Sequence, residues 1–281
     1  MYEFSTSEPV RLRIEFGSGE IKIDATDTTT STVEIEPYRD DDASREAVDR
    51  TTVEQRGDEI LIETPRKTGG SIFRRSAKIR ARITVPTGSD IEAKIDSADL
   101  TARGQYGSVQ VKTGSGDVRL ETVDDEISVA SGSGDVDVRL GGERTRIQAG
   151  SGDLSIRGSR GQVNLTTGSG DIRIDEAGDA VQATSGSGDV LIRTAEGDVT
   201  VSTASGDQRI RQVSRGRVRC NAASGDILIG IAEGTAAWLE VNSISGSVQS
   251  QLDGSEPPGE DEESVQVKAN TVSGDIVLAR A

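Results

Sequence analysis

The sequence predicts an all-β fold: a parallel β-solenoid (β-helix/β-roll-like) with 18-residue coils, two short strands per coil and a strand-rich N-terminal cap. Three observations predict it. Ser-Gly-Asp recurs at 115–117, 133–135, 151–153, 169–171, 187–189 and 205–207, a step of 18 each time, and again at 224–226 and 273–275. Between these copies apolar residues recur every nine positions, as in Val109, Val118, Ile127 and Val136, each followed two residues on by another, as in Val111, Leu120, Val129 and Val138. A pair at i and i+2 is one face of a short strand. Finally, aromatic residues make up only 2% of the chain, against 33 glycines. That composition suits a thin core of Val, Ile, Leu, Ala and Thr.

Taken in order, residues 1–88 read as a β-rich cap continuous with the solenoid. Val10 to Phe16 alternates strictly, and Gly17-Ser-Gly19 turns the chain into Glu20-Ile-Lys-Ile23. Thr32 to Ile35 is another short alternating run. Asp40-Asp-Asp42 ahead of Ala43 to Arg50 predicts an acidic N-cap and a short surface helix. Val53 to Gln55 and Glu59 to Glu63 predict a hairpin around Gly57-Asp58. Arg66, Lys67, Arg74 and Arg75 surround Phe73 in a basic loop, and Lys78 to Val85 alternates again up to Pro86. A solenoid needs such a cap because an open end exposes unpaired strand edges and bare core.

Residues 89–281 read as solenoid repeats with an acidic loop insertion at 253–264. Glycine sits two residues before the first apolar position at both corners of the coil, as at Gly107, Gly116, Gly161, Gly170, Gly188 and Gly197, where positive φ is expected. A hexapeptide helix also has 18 residues per coil, but Asp124 and Gly142 break its apolar period. Thr145 and Gln208 interrupt the nine-residue run. A third column, Thr113, Ser131, Ala149, Thr167, Ser185, Thr203 and Ala222, is always small and is expected to bond along the stack. Val265 to Ala269 and Ile276 to Leu278 are expected to form the last coil.

The segments Ile83-Thr-Val-Pro-Thr-Gly-Ser-Asp90, Lys112-Thr-Gly-Ser-Gly-Asp-Val118 and Glu233-Gly-Thr-Ala-Ala-Trp-Leu-Glu-Val241 resemble a bacterial family of β-strand-repeat proteins. Its members are described as candidate adhesins, a domain family of unknown function, and the likeness is strongest to actinobacterial members without a signal peptide. The resemblance covers essentially the whole chain. It implies the solenoid fold and an adhesin-like role, and it carries over no catalytic residues.

Charge and composition narrow the function. Formal net charge is −16, which disfavours nucleic acid and anionic membrane surfaces as partners. There is no histidine, and the single cysteine, Cys220, falls on an inward column, so neither a disulfide nor an activated thiol is expected. Met1 to Ser5 carries no secretory pattern and no apolar run approaches a membrane span, so a cytoplasmic location is expected, with an extracellular one if the chain is processed. No nucleophile–base set, nucleotide loop or cofactor motif is present, so no cofactor is expected. The expected function is a non-enzymatic, adhesin-like structural or binding module for an unknown protein or glycan, or for self-association. The alternatives are a calcium-binding β-roll and a carbohydrate-active β-helix enzyme.

Two sets of residues are candidate sites. Asp117, Asp135, Asp153, Asp171, Asp189, Asp207 and Asp226 would stack at about 5 Å, where like charges cost about 1 kcal/mol per contact in water. Each carboxylate is expected to accept backbone N–H groups at its own corner, with Arg119, Arg139, Arg157, Arg173, Arg193, Arg209 and Arg211 neutralising the column. Calcium between coils is the competing reading. It is disfavoured because Asp follows glycine directly and only at alternate corners. The other set is Gln162, Asn164, Thr166, Gln182, Thr184, Thr200 and Ser202, an uncharged strip on the opposite outward face. It is either plain solvated sheet or a docking surface for a glycan or protein.

Overall fold

The computed structural model describes residues 1–65, 77–252 and 264–281, which form two compact units, Met1–Asp137 and Val138–Ala281. The basic cluster around Phe73 and residues 253–263 of the acidic insertion lie outside the described residues. The fold is an all-β parallel solenoid, with parallel pairing between the strands of successive coils such as Val163 against Val181 and Ile172 against Val190.

In the first unit the stack begins well before residue 89. Arg11–Thr26 already makes a coil, passing through the corner Gly17–Gly19, and lies parallel to Asp90–Tyr106. Ser18, Gly19 and Glu20 stand opposite Ser97, Ala98 and Asp99, so the first rung of the Ser-Gly-Asp ladder is here. Leu12, Ile14, Phe16, Ile21 and Ile23 turn inward and are buried. On the far side of Arg11–Thr26 lie Glu59–Glu63 and Ile79–Pro86, both parallel to it. Beyond these the pairing changes sense. Thr52–Arg56 runs antiparallel to Glu59–Glu63 as the expected hairpin, with Gly57 at φ 65°. Thr30–Pro37 runs antiparallel to Ile79–Pro86, and Tyr2–Ser5 antiparallel to Thr30–Pro37. The helix Asp42–Asp49 is capped by Asp41, whose carboxylate accepts the Ser44 N–H at 2.7 Å.

Tyr106 is the largest fully buried side chain, and periodicity did not single it out. Its hydroxyl faces the carbonyls of Arg103 and Ile23 at 2.8 and 3.0 Å, satisfying a polar group that burial would otherwise penalise. Burial also pushes its phenol well above the ordinary range.

In the second unit the coils stack in two columns of strands. One runs Arg144–Ser151, Gln162–Ser169, Val181–Ser187, Val199–Ser205 and Gly216–Ser224. The other runs Leu154–Ser159, Ile172–Ala177, Val190–Ala195, Gln208–Val213 and Ile227–Ile231. Their inward residues, among them Val163, Leu165, Ile172, Ile174, Ile192 and Val201, are almost completely buried. Cys220 lies in this core, where desolvation raises its thiol pKa to about 12, as expected for an inert thiol.

The end of this stack departs from chain order. Ser264–Ser273 pairs with Gly216–Ser224 on one side and with Ala236–Ser245 on the other. Ile276–Arg280 likewise lies between Ile227–Ile231 and Val248–Ser250. The coil expected to be last is therefore the penultimate one, and the coil containing Trp238 is outermost. Exposure agrees: Val267 is 0% exposed, whereas Leu239, opposite it in register, is 40% exposed.

The interrupted column also resolves. Gln208 is buried and donates through Nε2 to Thr203 Oγ1 at 2.9 Å and to the Asn221 carbonyl at 2.8 Å. Thr145 is equally buried, yet its hydroxyl has no partner among the described residues. Thr145→Val removes that hydroxyl and restores the apolar column. It is expected to stabilise the protein by about 1 kcal/mol, read as a higher urea midpoint at unchanged slope. An unchanged or lower midpoint would contradict the assignment.

Glycine has two different roles at the two corners. At the Ser-Gly-Asp corner φ is positive, for example 148° at Gly170 and 146° at Gly188. At the other corner Gly107, Gly161 and Gly197 are not in that region, contrary to expectation. There the reason is close approach: a Cβ on Gly161 would lie 2.0 Å from the Glu143 carbonyl oxygen.

Candidate functional site

Asp153, Asp171, Asp189, Asp207 and Asp226 fall on one corner line of the second unit, and Asp117 and Asp135 on the corresponding line of the first. Their carboxylates do not serve their own corner. Within each unit, Oδ1 of one Asp accepts the backbone N–H of the Asp in the next coil. In the second unit Asp171 donates to Asp153, Asp189 to Asp171, and Asp207 to Asp189, all at 2.8 Å, followed by Asp226 to Asp207 at 2.9 Å. In the first unit Asp117 donates to Asp99 at 3.0 Å and Asp135 to Asp117 at 3.1 Å. Each carboxylate thus satisfies a corner N–H that the strand ladder leaves over. One oxygen per rung is committed to register, which leaves less of the carboxylate for a cation.

The arginines divide between two tasks. Arg119 pairs with Asp117 at 2.8 Å, and Arg209 with Asp207 at 2.7 Å and Asp189 at 3.4 Å. Arg173 and Arg193 instead converge on Asp175, at 3.0 and 3.3 Å, and not on the ladder.

The small column helps in the second unit. Thr167 donates to the Gly152 carbonyl, Ser185 to Gly170, and Thr271 to Gly225, at 3.1 to 3.2 Å. In the first unit the hydroxyls of Thr113 and Ser131 are buried without a partner among the described residues.

The ladder ends at Ser247. Asp275 donates to Asp226 at 2.8 Å, and Ser247 donates to Asp275 at 2.7 Å. Ser247 has no carboxylate to pass on, and it stands in the outermost coil. A serine in place of the aspartate is thus the sequence signal that this coil is outermost. The Ser247 N–H holds the Asp275 carboxyl below the usual carboxylate range. The Arg217 N–H does the same for Asp198, and Lys22 for Glu20. Groups with depressed folded-state pKa values stabilise above the unfolded value of about 4 and lose that contribution as pH falls through the folded value. The urea midpoint is therefore expected to hold from pH 7 to about 5 and to drop below about 4. A midpoint that rises on acidification would contradict these bonds.

The uncharged strip is part of a larger face. Gln162, Asn164, Thr166, Gln182, Thr184, Thr200 and Ser202 share one outward surface, and Asn164 donates to Gln182 at 3.4 Å. One column across it carries only amides and hydroxyls: Gln148, Thr166, Thr184, Ser202, Asn221, Asn270 and Asn242, in register through seven strands. The neighbouring column reads Arg146, Asn164, Gln182, Thr200, Arg219, Lys268 and Glu240. Sequence reasoning stopped at Ser202 because the step lengthens to 19 before Ser224 and because the last coils are out of order.

Two shallow grooves lie on this face. One, of about 310 Å³, is lined by Arg144, Arg146, Gln162, Asn164, Gln182 and Asp198 among others. The other, of about 370 Å³, is lined by Arg217, Arg219, Trp238, Glu240, Gln266 and Lys268 above apolar strand residues. Trp238 is 60% exposed and stands in the outermost coil. Among the described residues no group of His, Cys, Asp or Glu is placed to hold a metal ion, and no helix is long and apolar enough to cross a membrane.

No curated protein matches the chain. Among solved structures, a candidate adhesin from Bacteroides fragilis is similar at 15% identity and a TM-score of 0.37, with 99% of this chain and 95% of that chain covered. A candidate adhesin from Parabacteroides merdae is similar at 8% identity and a TM-score of 0.43, with 100% and 95% covered. A candidate lipid-binding protein from Parabacteroides distasonis is similar at 11% identity and a TM-score of 0.29, with 99% and 95% covered. The profile of one domain family matches residues 10–216 and 125–279, nearly the full length in two overlapping passes, and the chain belongs to that family, Toastrack DUF4097.

Proposed function

We propose that the chain is a non-enzymatic binding module, and that its working surface is the outward face running from Arg144–Ser151 to Ala236–Ser245. The observation that carries this reading is the amide and hydroxyl column from Gln148 to Asn242, held in register over seven strands. Evenly spaced donors and acceptors on a rigid, flat surface suit an extended partner with its own repeating hydroxyl or amide groups. A glycan chain fits this description, as does an extended peptide. Catalysis asks for a different construction: a cleft with an acid, a base and a perturbed pKa. The grooves here are shallow. The two resolved shifts beside them or in their coils, at Asp198 and Asp275, arise from hydrogen bonds that hold the stack together.

The test is a glycan array and a pull-down with the full chain, repeated with the double variant Asn164→Ala/Gln182→Ala. Both side chains point outward, so folding is expected to be unaffected. Ligand retention is expected to fall at least about tenfold, since two polar contacts are lost. Retention equal to that of the unaltered protein would rule the face out.

A further inference from the structure

The groove at the outer end of this face differs in chemistry from the rest of it. Across the strip the side chains are uncharged, whereas here three cations surround one exposed aromatic ring, on a chain whose net charge is −16. Two of the cations are already engaged. Arg217 is held by Asp198 through Nε at 3.2 Å and NH2 at 2.9 Å. Lys268 is held by Glu240 at 2.6 Å. Arg219 is exposed and forms no hydrogen bond or ion pair among the described residues, although its charge acts on Asp198. Among the described residues the groove therefore offers one uncommitted guanidinium, one amide at Gln266 and one aromatic face at Trp238.

We propose that this groove binds the carboxylate-bearing sugar unit of an acidic glycan, with the pyranose ring against Trp238 and the carboxylate on Arg219. The proposal rests on the reading of this face as a binding surface and adds the class of ligand. A guanidinium presents a planar fork that matches a carboxylate, and an exposed indole offers a flat apolar surface for the C–H face of a sugar ring. Neutral units of the same chain would continue along Asn242, Asn270 and Asn221, whose amides pair with hydroxyls. The balance of charge favours one carboxylate over a polyphosphate. The three cations face Asp198 and Glu240, so the groove's net charge is small, whereas a nucleic-acid strand brings a phosphate with every nucleotide.

Trp238 is the only tryptophan, so its emission reports on this groove alone. The experiment titrates the full chain with a hexamer of galacturonic acid, a neutral galactose hexamer, a sulfated galactose hexamer and a single-stranded oligonucleotide. The uronate is expected to shift Trp238 emission and to bind at least about tenfold more tightly than the neutral sugar. Arg219→Gln is expected to remove that preference while the melting temperature stays unchanged. Glu240→Gln, which releases Lys268 and removes the carboxylate that lines the groove, is expected to tighten uronate binding several-fold.

Several outcomes would overturn the assignment. They are an unmoved Trp238 emission with uronate, equal affinity for acidic and neutral hexamers, a preference for the sulfated sugar that survives Arg219→Gln, or tighter binding of the oligonucleotide. If a glycan binds and is lost with Asn164→Ala/Gln182→Ala but not with Arg219→Gln, the face stands and the groove assignment falls. If no glycan or protein is retained at all, both fall.

Discussion

Gly188→Val is expected to destabilise the protein by about 4–5 kcal/mol, a large share of the stability of an ordinary domain. Two effects add. Gly188 has φ 146°, a backbone conformation that a β-branched residue rarely adopts. A Cβ there would also stand 2.1 Å from the carbonyl oxygen of Gly170 in the coil below. That neighbour is backbone and cannot swing aside. Relieving the contact means prising two coils apart, which breaks the Asp189 to Asp171 bond at 2.8 Å on the same corner. The control is Gly17→Ala. Gly17 is not in the positive-φ region, and its new Cβ would meet only the Thr64 side chain, at 3.7 Å. That change is expected to stay within about 1 kcal/mol of neutral. Urea midpoints of the two variants provide the comparison, and similar midpoints would contradict the account of the corner.

The second large effect separates the order of coils in space from their order in the chain. Val267→Asp is expected to cost at least about 4 kcal/mol, because an unpaired carboxylate would be buried in the core. Leu239→Asp, one register position outward, is expected to cost about 1 kcal/mol or less, since that side chain keeps access to water. Chain order alone predicts the reverse, with residue 267 near the frayed end and residue 239 inside. The registers Val267 against Cys220's neighbour Val218 and Val267 against Leu239 decide between the two. Equal losses for both variants would contradict the intercalated arrangement.

Local periodicity carried most of the fold. The inward columns from Val109 to Ile210 are buried almost without exception, because an i, i+2 apolar pair in a lean chain has no other place to go. The helix after Asp41 and the hairpin at Gly57 were legible because each has its own short-range chemistry. Long-range order was not. Ala237, Leu239 and Val241 alternate just as Val265, Val267 and Ala269 do, and both runs lead into a Ser-Gly corner. Nothing local tells the inner copy from the outer, apart from Ser247 in place of an aspartate. The start of the stack is only faintly marked, since Arg11–Thr26 carries its corner as Ser18-Gly19-Glu20, a distant relative of the repeat. The candidate face was half visible. Its neutral centre stood out as a break in charge, while Arg219, Lys268 and Trp238 belong to it only through registers that cross the reordered coils.

That reordering sets two runs of the chain in competition for one edge. Residues 236–250 and 264–280 are separated only by residues 251–263, so both runs meet that edge as the chain folds. The early strands carry the same alternation as the late ones, so they fit directly on Gly216–Ser224 and Ile227–Ile231, in the place that Ser264–Ser273 and Ile276–Arg280 hold in the finished protein. A direct pairing of Ala236–Ser245 with Gly216–Ser224 therefore competes with the native one, and any chain that forms it must reopen it before Ser264–Ser273 can enter.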